Sequence, residues 1–332
     1  MSCVTIAAFF LAVVLDAQVV VILGLLGGFL TPFLLATGSD HPAALFGYVG
    51  LLNAGVAAVA LRKRWDYLIL FTAIGTVVTE FAWAGEFFHV TKAPMAFVIF
   101  AGFELQFLIF LFLRPKTGRV EKWLTWGVAT TGLAALAFSF WMLDFHVLAE
   151  RPLFLFGFVF AVDVGLLVLA LKQSKPALFA SAAGIGVFAF FACWTATYLS
   201  DALLWWALGA YLLFAMLHSA FAVWPKAASP RTGAIQWQSY IPLLSLVLVW
   251  LCVWRNEASP AVWLCVLLIN LIAVGLAIAT ASQRSIVIAL LCTIIAAALW
   301  IGTAPSQIDD LNGFLSVTAG FGLFFFSAVQ KA

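Results

Sequence analysis

The sequence places a few ionisable side chains deep inside long apolar segments. Glu104 and Asp163 each lie about eleven residues into such a segment, and Glu80 lies nearer the end of another. An ionisable group at the centre of a bilayer costs about 2.5–3.5 kcal/mol on insertion scales, so it usually faces a partner or a wet cavity. A carboxylate there can bind a proton near neutral pH, which is the chemistry of a proton- or cation-coupled site. The alternative is structural, a protonated carboxyl that hydrogen-bonds a neighbouring helix.

A second group of polar residues lies close together in sequence, at the end of one apolar segment. Glu80, Glu86 and His89 predict a polar pocket at the outer face of the membrane. The alternative is that water at the interface solvates these side chains, as it solvates most acidic residues in loops.

Sequence motifs of enzymes and metal proteins are absent. The chain has four histidines and five cysteines, and none of them falls at metal-ligand spacing. The cysteines lie singly in apolar stretches, as small packing residues do. HExxH, GxSxG and P-loop motifs are also missing from the sequence. We therefore predict no catalytic residue, no metal and no cofactor, and an enzyme is the less favoured class of function.

The composition indicates a membrane protein. Of the 332 residues, 65% are hydrophobic and only 9% are charged, whereas soluble domains have roughly 25% charged residues. Backbone polar groups in lipid must be satisfied internally, and the apolar runs have the ~20 residues that a spanning helix needs. We predict an all-α, polytopic fold. The lipid bilayer is the expected partner, with other membrane proteins as further candidates and no nucleic acid.

The apolar segments predict about 12–13 spans. The expected helices lie at about 2–15, 18–37, 43–61, 66–83, 93–113, 123–143, 152–171, 176–198, 202–224, 238–254, 260–280, 285–302 and 312–329.

The charges of the connecting loops predict the orientation. Alternate loops hold 13 of the 16 Lys and Arg residues, and the other loops hold three. The basic loops are 62–64, 114–122, 172–175, 226–231 and 284, together with the C-terminal lysine. The positive-inside rule places these loops in the cytoplasm.

Three stretches of the chain resemble one another. Each has a proline, a polar residue ten or eleven positions later, and a tryptophan thirty or thirty-one positions after that. The three sets are Pro42, Asn53 and Trp83; Pro152, Asp163 and Trp194; and Pro260, Asn270 and Trp300. Asn53 and Asn270 join the acids as candidate residues of an intramembrane polar site, and the alternative is that they hold helices together through hydrogen bonds.

The spacing of these stretches predicts repeated units of about 110 residues, or four helices. An even number of spans preserves orientation, so the units would be parallel repeats. The expected units are 1–41 (the last two helices of a preceding repeat), 42–151, 152–259, and 260–332 (a partial, three-helix repeat).

One run of residues resembles a known family. Residues Leu25 to Trp65, LLGGFLTPFLLATGSDHPAALFGYVGLLNAGVAAVALRKRW, are similar to the signature of the DUF2339 family. These are predicted bacterial multi-pass membrane proteins of unknown function. The resemblance implies a bacterial inner-membrane protein, and the family has no assigned catalytic residues to carry over.

Three hypotheses for function follow. The leading one is a transporter- or channel-like protein for a small solute or a lipid-linked envelope precursor, with Glu104 and Asp163 as coupling or gating carboxylates. The second is a membrane scaffold subunit of an envelope-assembly complex. The third is an intramembrane enzyme that uses acids and histidines of the outer loops.

Overall fold

The computed structural model describes residues 18–34, 38–63, 65–113, 122–173, 176–224, 237–254, 260–280 and 283–303, with the isolated positions 322 and 326. Helices make up nearly all of this part of the chain, and no β-strand occurs within it. The prediction of an all-α fold is confirmed.

The described residues form twelve α-helices. They are α1 (Gln18–Leu34), α2 (Pro42–Lys63), α3 (Tyr67–Phe87), α4 (Ala93–Leu113), α5 (Lys122–Trp141), α6 (His146–Ala149), α7 (Pro152–Ala170), α8 (Pro176–Tyr198), α9 (Leu204–Val223), α10 (Leu244–Trp254), α11 (Pro260–Thr280) and α12 (Gln283–Thr303). Four 3-10 helices connect them, at Val90–Lys92, Met142–Asp144, Asp201–Leu203 and Trp237–Leu243.

Within the described ranges, nine helical segments are long and apolar enough to cross a membrane. They contain α2, α3, α4, α5, α7, α8, α9, α11 and α12. Two shorter apolar helices, Gln18–Pro32 and Gln238–Trp254, accompany them. The multi-pass prediction is confirmed for this part of the chain, and the predicted helices at 2–15 and 312–329 lie outside the described residues.

Prolines set several helix starts. Helices α2, α7, α8 and α11 each begin at a proline, a position where the missing N–H costs no helical hydrogen bond. Pro242 has the opposite effect, because a proline inside a helix removes a hydrogen bond and clashes with the preceding turn. The segment predicted as one helix at 238–254 is therefore a 3-10 turn, Trp237–Leu243, followed by α10.

The chain divides into two compact units. Unit 1 consists of the described residues within Met1–Phe138 and Val164–Gln173, and unit 2 of those within Ser139–Asp163 and Ser174–Ala332. One hydrophobic cluster of unit 1 contains the fully buried Phe107 among mostly aliphatic side chains. The core of unit 2 contains Phe191, whose ring contacts those of Tyr211 and Phe214.

Large apolar side chains cover much of the helix surface. Leu51 and Leu153 are each 73% exposed and Val98 is 68% exposed. Trp205, Trp224 and Trp254, at or near helix ends, are exposed as well, where amphipathic rings favour the membrane interface. Such a surface is stable in lipid and unfavourable in water.

Candidate functional site

Unit 1 contains two buried glutamates whose carboxyls interact electrostatically. Glu80 lies on α3 and is 1% exposed, and Glu104 lies on α4 and is 3% exposed. Neither carboxyl oxygen of Glu80 has a hydrogen-bond partner among the described residues, and its carboxyl interacts electrostatically with that of Glu104. Two neighbouring carboxylates in a low dielectric cannot both ionise cheaply. Glu80 and Glu104 are therefore the candidate acids of unit 1.

Two glycines make room for the Glu104 carboxyl. A Cβ atom at Gly132 of α5 would lie 3.0 Å from Glu104 Oε1, and a Cβ atom at Gly165 of α7 would overlap the carboxyl group. A side chain at either position would displace the carboxyl. The carboxyl of Glu104 thus occupies a position that these two glycines leave open.

A network of amides joins three helices of unit 1. The Asn53 side chain on α2 donates from Nδ2 to Thr76 Oγ1 at 3.0 Å and to Gln106 Oε1 at 3.2 Å. Gln106 Nε2 donates in turn to the Gly50 carbonyl at 2.9 Å. Asn53 is fully buried, and its hydrogen bonds connect α2 to both α3 and α4.

Asn270 makes a related but smaller contact in unit 2. Its Nδ2 donates to Thr293 Oγ1 at 2.8 Å, and Thr293 Oγ1 lies 3.3 Å from Asn270 Oδ1. The separation of 23 residues equals that between Asn53 and Thr76. The repeated polar position is therefore fully buried and hydrogen-bonded to the next long helix in both asparagine copies.

These two asparagines give a matched pair of variants. We expect Asn53→Ala to lower the free energy of unfolding by about 1–2 kcal/mol, and Asn270→Ala by about 0.6–1 kcal/mol, since Asn53 joins three helices and Asn270 joins two. Thermal unfolding in detergent micelles measures both changes. Equal losses, or a larger loss for Asn270→Ala, would contradict this assignment of the contacts.

Asp163, at the corresponding position of another of the three similar stretches, contacts a buried histidine in unit 2. Asp163 Oδ2 on α7 lies 3.0 Å from His218 Nε2 on α9, and both side chains are fully buried. The other carboxyl oxygen, Oδ1, has no hydrogen-bond partner among the described residues. Asp163 and His218 are 55 positions apart in the sequence, so sequence distance alone does not associate them.

Two more polar side chains extend this pair. Gln238 Nε2, in the 3-10 turn before α10, lies 3.4 Å from His218 Nδ1. The Ser181 hydroxyl on α8 lies 3.1 Å from Gln238 Oε1 and 2.7 Å from the Ala177 carbonyl. A signal for His218 was present in the sequence. Gln106 follows Asn53 by 53 residues and His218 follows Asp163 by 55.

An ion pair lies beside the start of α2 in unit 1. Lys92 Nζ is 2.6 Å from Asp40 Oδ2, and Trp83 Nε1 donates to Asp40 Oδ1 at 2.9 Å. Burial raises the pKa of Asp40, but hydrogen bonds from Lys92 and Trp83 and the charge of Lys92 outweigh it and hold the pKa below its usual range. In unit 2, Trp194 Nε1 likewise donates at 2.9 Å to the Ala149 carbonyl, shortly before α7.

The lowered pKa of Asp40 predicts a pH dependence of stability. The ionised carboxylate stabilises the fold above the pKa of the unfolded chain, near 3.8, and this contribution is lost as the pH falls through the lower folded-state pKa. We expect Asp40→Asn to be less stable than wild type by about 1 kcal/mol or less at pH 7. The difference in Tm between the two proteins should shrink below about pH 4. A difference independent of pH would contradict this role.

The three similar stretches of sequence share one more contact. Each has an aromatic residue seven positions before its repeated polar residue, and this ring packs edge-on against the tryptophan of the same copy. The ring centroids lie 5.4 Å apart for Phe46 and Trp83, 4.9 Å for Phe156 and Trp194, and 6.0 Å for Trp263 and Trp300.

The three residues of the predicted outer-face pocket differ in their solvent exposure. Glu86 and His89 are exposed, whereas Glu80 is buried two helical turns before the end of α3. The pocket stays a prediction. Across the described ranges, no group of three or more His, Cys, Asp and Glu side chains is arranged to hold a metal ion.

Comparison with known proteins gives one match. The sequence profile of a family described as a predicted membrane protein, DUF2339, matches residues 1–329. Neither the curated proteins nor the solved structures include a match to the chain. Because the profile covers nearly the whole chain, this protein belongs to the DUF2339 family of predicted membrane proteins.

Proposed function

We propose that this protein is a transporter- or channel-like protein of the bacterial inner membrane. It would move a small solute or a lipid-linked envelope precursor, and proton binding at Glu80 and Glu104 would be coupled to that movement. The observation that carries the proposal is the Glu80 carboxyl. This carboxyl lies on the apolar helix α3, is buried, and interacts electrostatically with the Glu104 carboxyl. Neither of its oxygens has a hydrogen-bond partner among the described residues.

A comparison with Asn53 and Asn270 supports a role for Glu80 beyond helix packing. A polar group kept only to hold helices together is expected to be hydrogen-bonded, because an unsatisfied buried polar group costs about 1–3 kcal/mol. Asn53 and Asn270 meet this expectation through Thr76 and Thr293. Glu80 does not. A carboxyl retained at such a cost is typical of proton pathways in membrane proteins.

Asp163 is the corresponding acid of unit 2. It is fully buried against His218, so each unit contains an acidic group with a titratable neighbour. In this proposal Glu104 and Asp163 are the coupling carboxylates of their units, and Glu80 is a second proton-binding carboxyl that interacts electrostatically with Glu104.

The predicted topology extends the proposal. With the basic loops in the cytoplasm, the Asp40–Lys92 pair lies at the outer side of the membrane. The four-helix repeats are part of the same proposal. They are supported by the shared set of proline, edge-on aromatic pair and buried polar residue in three copies.

A scaffold is the second candidate function. The hydrogen-bonded asparagine pairs that tie helices together, and the exposed apolar helix surfaces, favour it. A scaffold would use the acids for stability alone. It therefore predicts no proton movement through the purified protein, and stoichiometric partners on purification.

The test is proton movement in a purified system. The full chain is reconstituted into liposomes made from bacterial inner-membrane lipid extract, with a pool of small solutes outside and a pH-sensitive dye inside. A potassium gradient with valinomycin sets an inside-negative potential. We expect the lumen to acidify faster than in protein-free liposomes. Acidification at the protein-free rate would contradict the proposal and favour the scaffold.

A further inference from the structure

A chain of four polar side chains runs through the interior of unit 2. Asp163 contacts His218 at 3.0 Å, His218 contacts Gln238 at 3.4 Å, and Gln238 contacts Ser181 at 3.1 Å. Each of the four side chains comes from a different helical segment, and all four are buried. The possible hydrogen positions along this chain determine how many protons it can hold.

In one arrangement His218 is neutral. The Ser181 hydroxyl donates to Gln238 Oε1, and Gln238 Nε2 donates to the bare Nδ1 of His218. The Nε2–H of His218 then donates to Asp163 Oδ2. Every link has one donor and one acceptor. The Ala177 carbonyl does not need the Ser181 hydroxyl here, since it accepts the backbone N–H of Ser181 within α8.

In the other arrangement His218 is protonated. The ring now donates from Nδ1 as well, so the Gln238 amide must turn and present Oε1 to the ring. Gln238 Nε2 then donates to Ser181 Oγ, and the Ser181 hydroxyl donates to the Ala177 carbonyl, which lies 2.7 Å away. All links are again satisfied. The two arrangements differ by one proton and by the direction of one amide, an orientation that heavy-atom positions alone leave open.

We propose that Asp163, His218, Gln238 and Ser181 form a proton-binding site in which His218 takes up the proton and the Gln238 amide reverses with it. The site goes beyond the proposed function, because it binds a proton whether or not the protein transports. Asp163 supplies the negative charge that a buried imidazolium requires. Ser181 supplies a hydroxyl that donates in either direction.

The surroundings of His218 favour this assignment. From α8 the ring meets Gly184 and Phe188, and neither side chain titrates. A Cβ atom at Gly184 would lie 2.9 Å from His218 Cε1 and 3.1 Å from Nδ1. From the 3-10 turn it meets Gln238, and from α7 it meets Asp163. Among the described residues, Asp163 is the charged group in contact with the ring. Its carboxylate is therefore the group whose charge favours a proton on His218.

The experiment is magnetic resonance on the full chain in lipid nanodiscs, with isotopically labelled histidine rings and glutamine amides. Signals are assigned with His218→Gln and Gln238→Leu. Between about pH 5 and pH 9, we expect His218 to change from both ring nitrogens protonated to Nε2 alone protonated. The Gln238 amide signal should move between two positions with the same midpoint.

The exposed pair of His146 and Glu150, 3.4 Å apart, is the matched control within the same protein. Any change of its ring signals with pH should leave the Gln238 signal unmoved. A His218 ring that keeps one protonation state throughout, or a Gln238 amide that does not follow it, would overturn the proposal.

Two variants test the amide directly. Gln238→Glu replaces the amide with a carboxyl that, when ionised, can only accept hydrogen bonds. Both nitrogens of His218 should therefore stay protonated at pH values at which the wild-type ring has lost its Nδ1 proton. Ser181→Ala removes the group that receives the turned amide, so the Gln238 signal should no longer occupy two positions. Wild-type titration of both signals in both variants would also overturn the proposal. These measurements do not depend on proton movement in liposomes. A failure of the proposed transport function can therefore be distinguished from a failure of this proton-binding site.

Discussion

Removing His218 alone should destabilise the protein far more than removing His218 and Asp163 together. In His218→Leu the Asp163 carboxyl stays fully buried without the ring nitrogen that contacts it, and in Asp163→Leu the buried histidine ring loses that carboxyl. Breaking a buried pair in this way costs about 3–5 kcal/mol. The double variant replaces both groups by apolar side chains, an exchange that is often neutral. We therefore expect a coupling energy of about 3 kcal/mol or more from thermal unfolding of the four proteins.

The exposed pair of His146 and Glu150 provides the control cycle. Its side chains are 76% and 60% exposed, and exposed pairs couple by about 1 kcal/mol or less. The same leucine substitutions there should be additive within that limit. Additive losses at Asp163 and His218 would mean that the two groups do not stabilise each other, and would contradict a stabilising contact between them.

Glu80→Gln and Glu104→Gln should each slow proton movement in liposomes by at least about tenfold, equivalent to about 1.4 kcal/mol on the limiting step. An amide fills the same space as the carboxyl but cannot release a proton. The double variant should be no slower than the slower single variant, because both carboxyls are proposed to act in one proton pathway, which either substitution blocks. Lumenal dye fluorescence measures the rate.

Glu150→Gln is the matched control, an equivalent change at an exposed glutamate in unit 2. It should keep the wild-type rate. Each variant is also compared by its Tm, so that a loss of folding is separated from a loss of proton transfer. Wild-type rates in folded Glu80→Gln and Glu104→Gln would exclude a coupling role for this pair.

Most of the helical framework could be predicted because lipid imposes a simple rule on length. Apolar runs of about 20 residues must be helices that satisfy their own backbone, and the runs at 93–113 and 176–198 match α4 and α8. The observed helices differ from the predicted ones where a particular residue interrupts or extends an apolar run. Pro242 converts the start of one helix into a 3-10 turn, and α3 continues to Phe87, beyond the predicted end at residue 83.

The partners of the buried acids were less accessible to prediction. Hydropathy places Glu80 and His218 along their helices but does not state which helix each side chain faces. Depth in an apolar segment groups Glu80 with Glu104, and sequence distance groups it with Glu86 and His89. In the structure Glu80 is buried and interacts with Glu104, 24 residues further on. The Asp163–His218 pair depends on α7 and α9 packing together, and no local pattern encodes such a contact. The Asn53 position, by contrast, could be identified from its repetition.

The central claim is that the carboxyls of Glu80 and Glu104 exchange a proton with the aqueous phase. Infrared difference spectroscopy of the full chain in nanodiscs, between neutral and acidic pH, measures this directly through the carbonyl stretch of a protonated carboxyl. We predict a band that moves when H2O is replaced by D2O and that disappears in Glu80→Gln and Glu104→Gln but persists in Glu150→Gln. A spectrum unchanged in the first two variants would show that these carboxyls do not exchange protons, and would contradict the account.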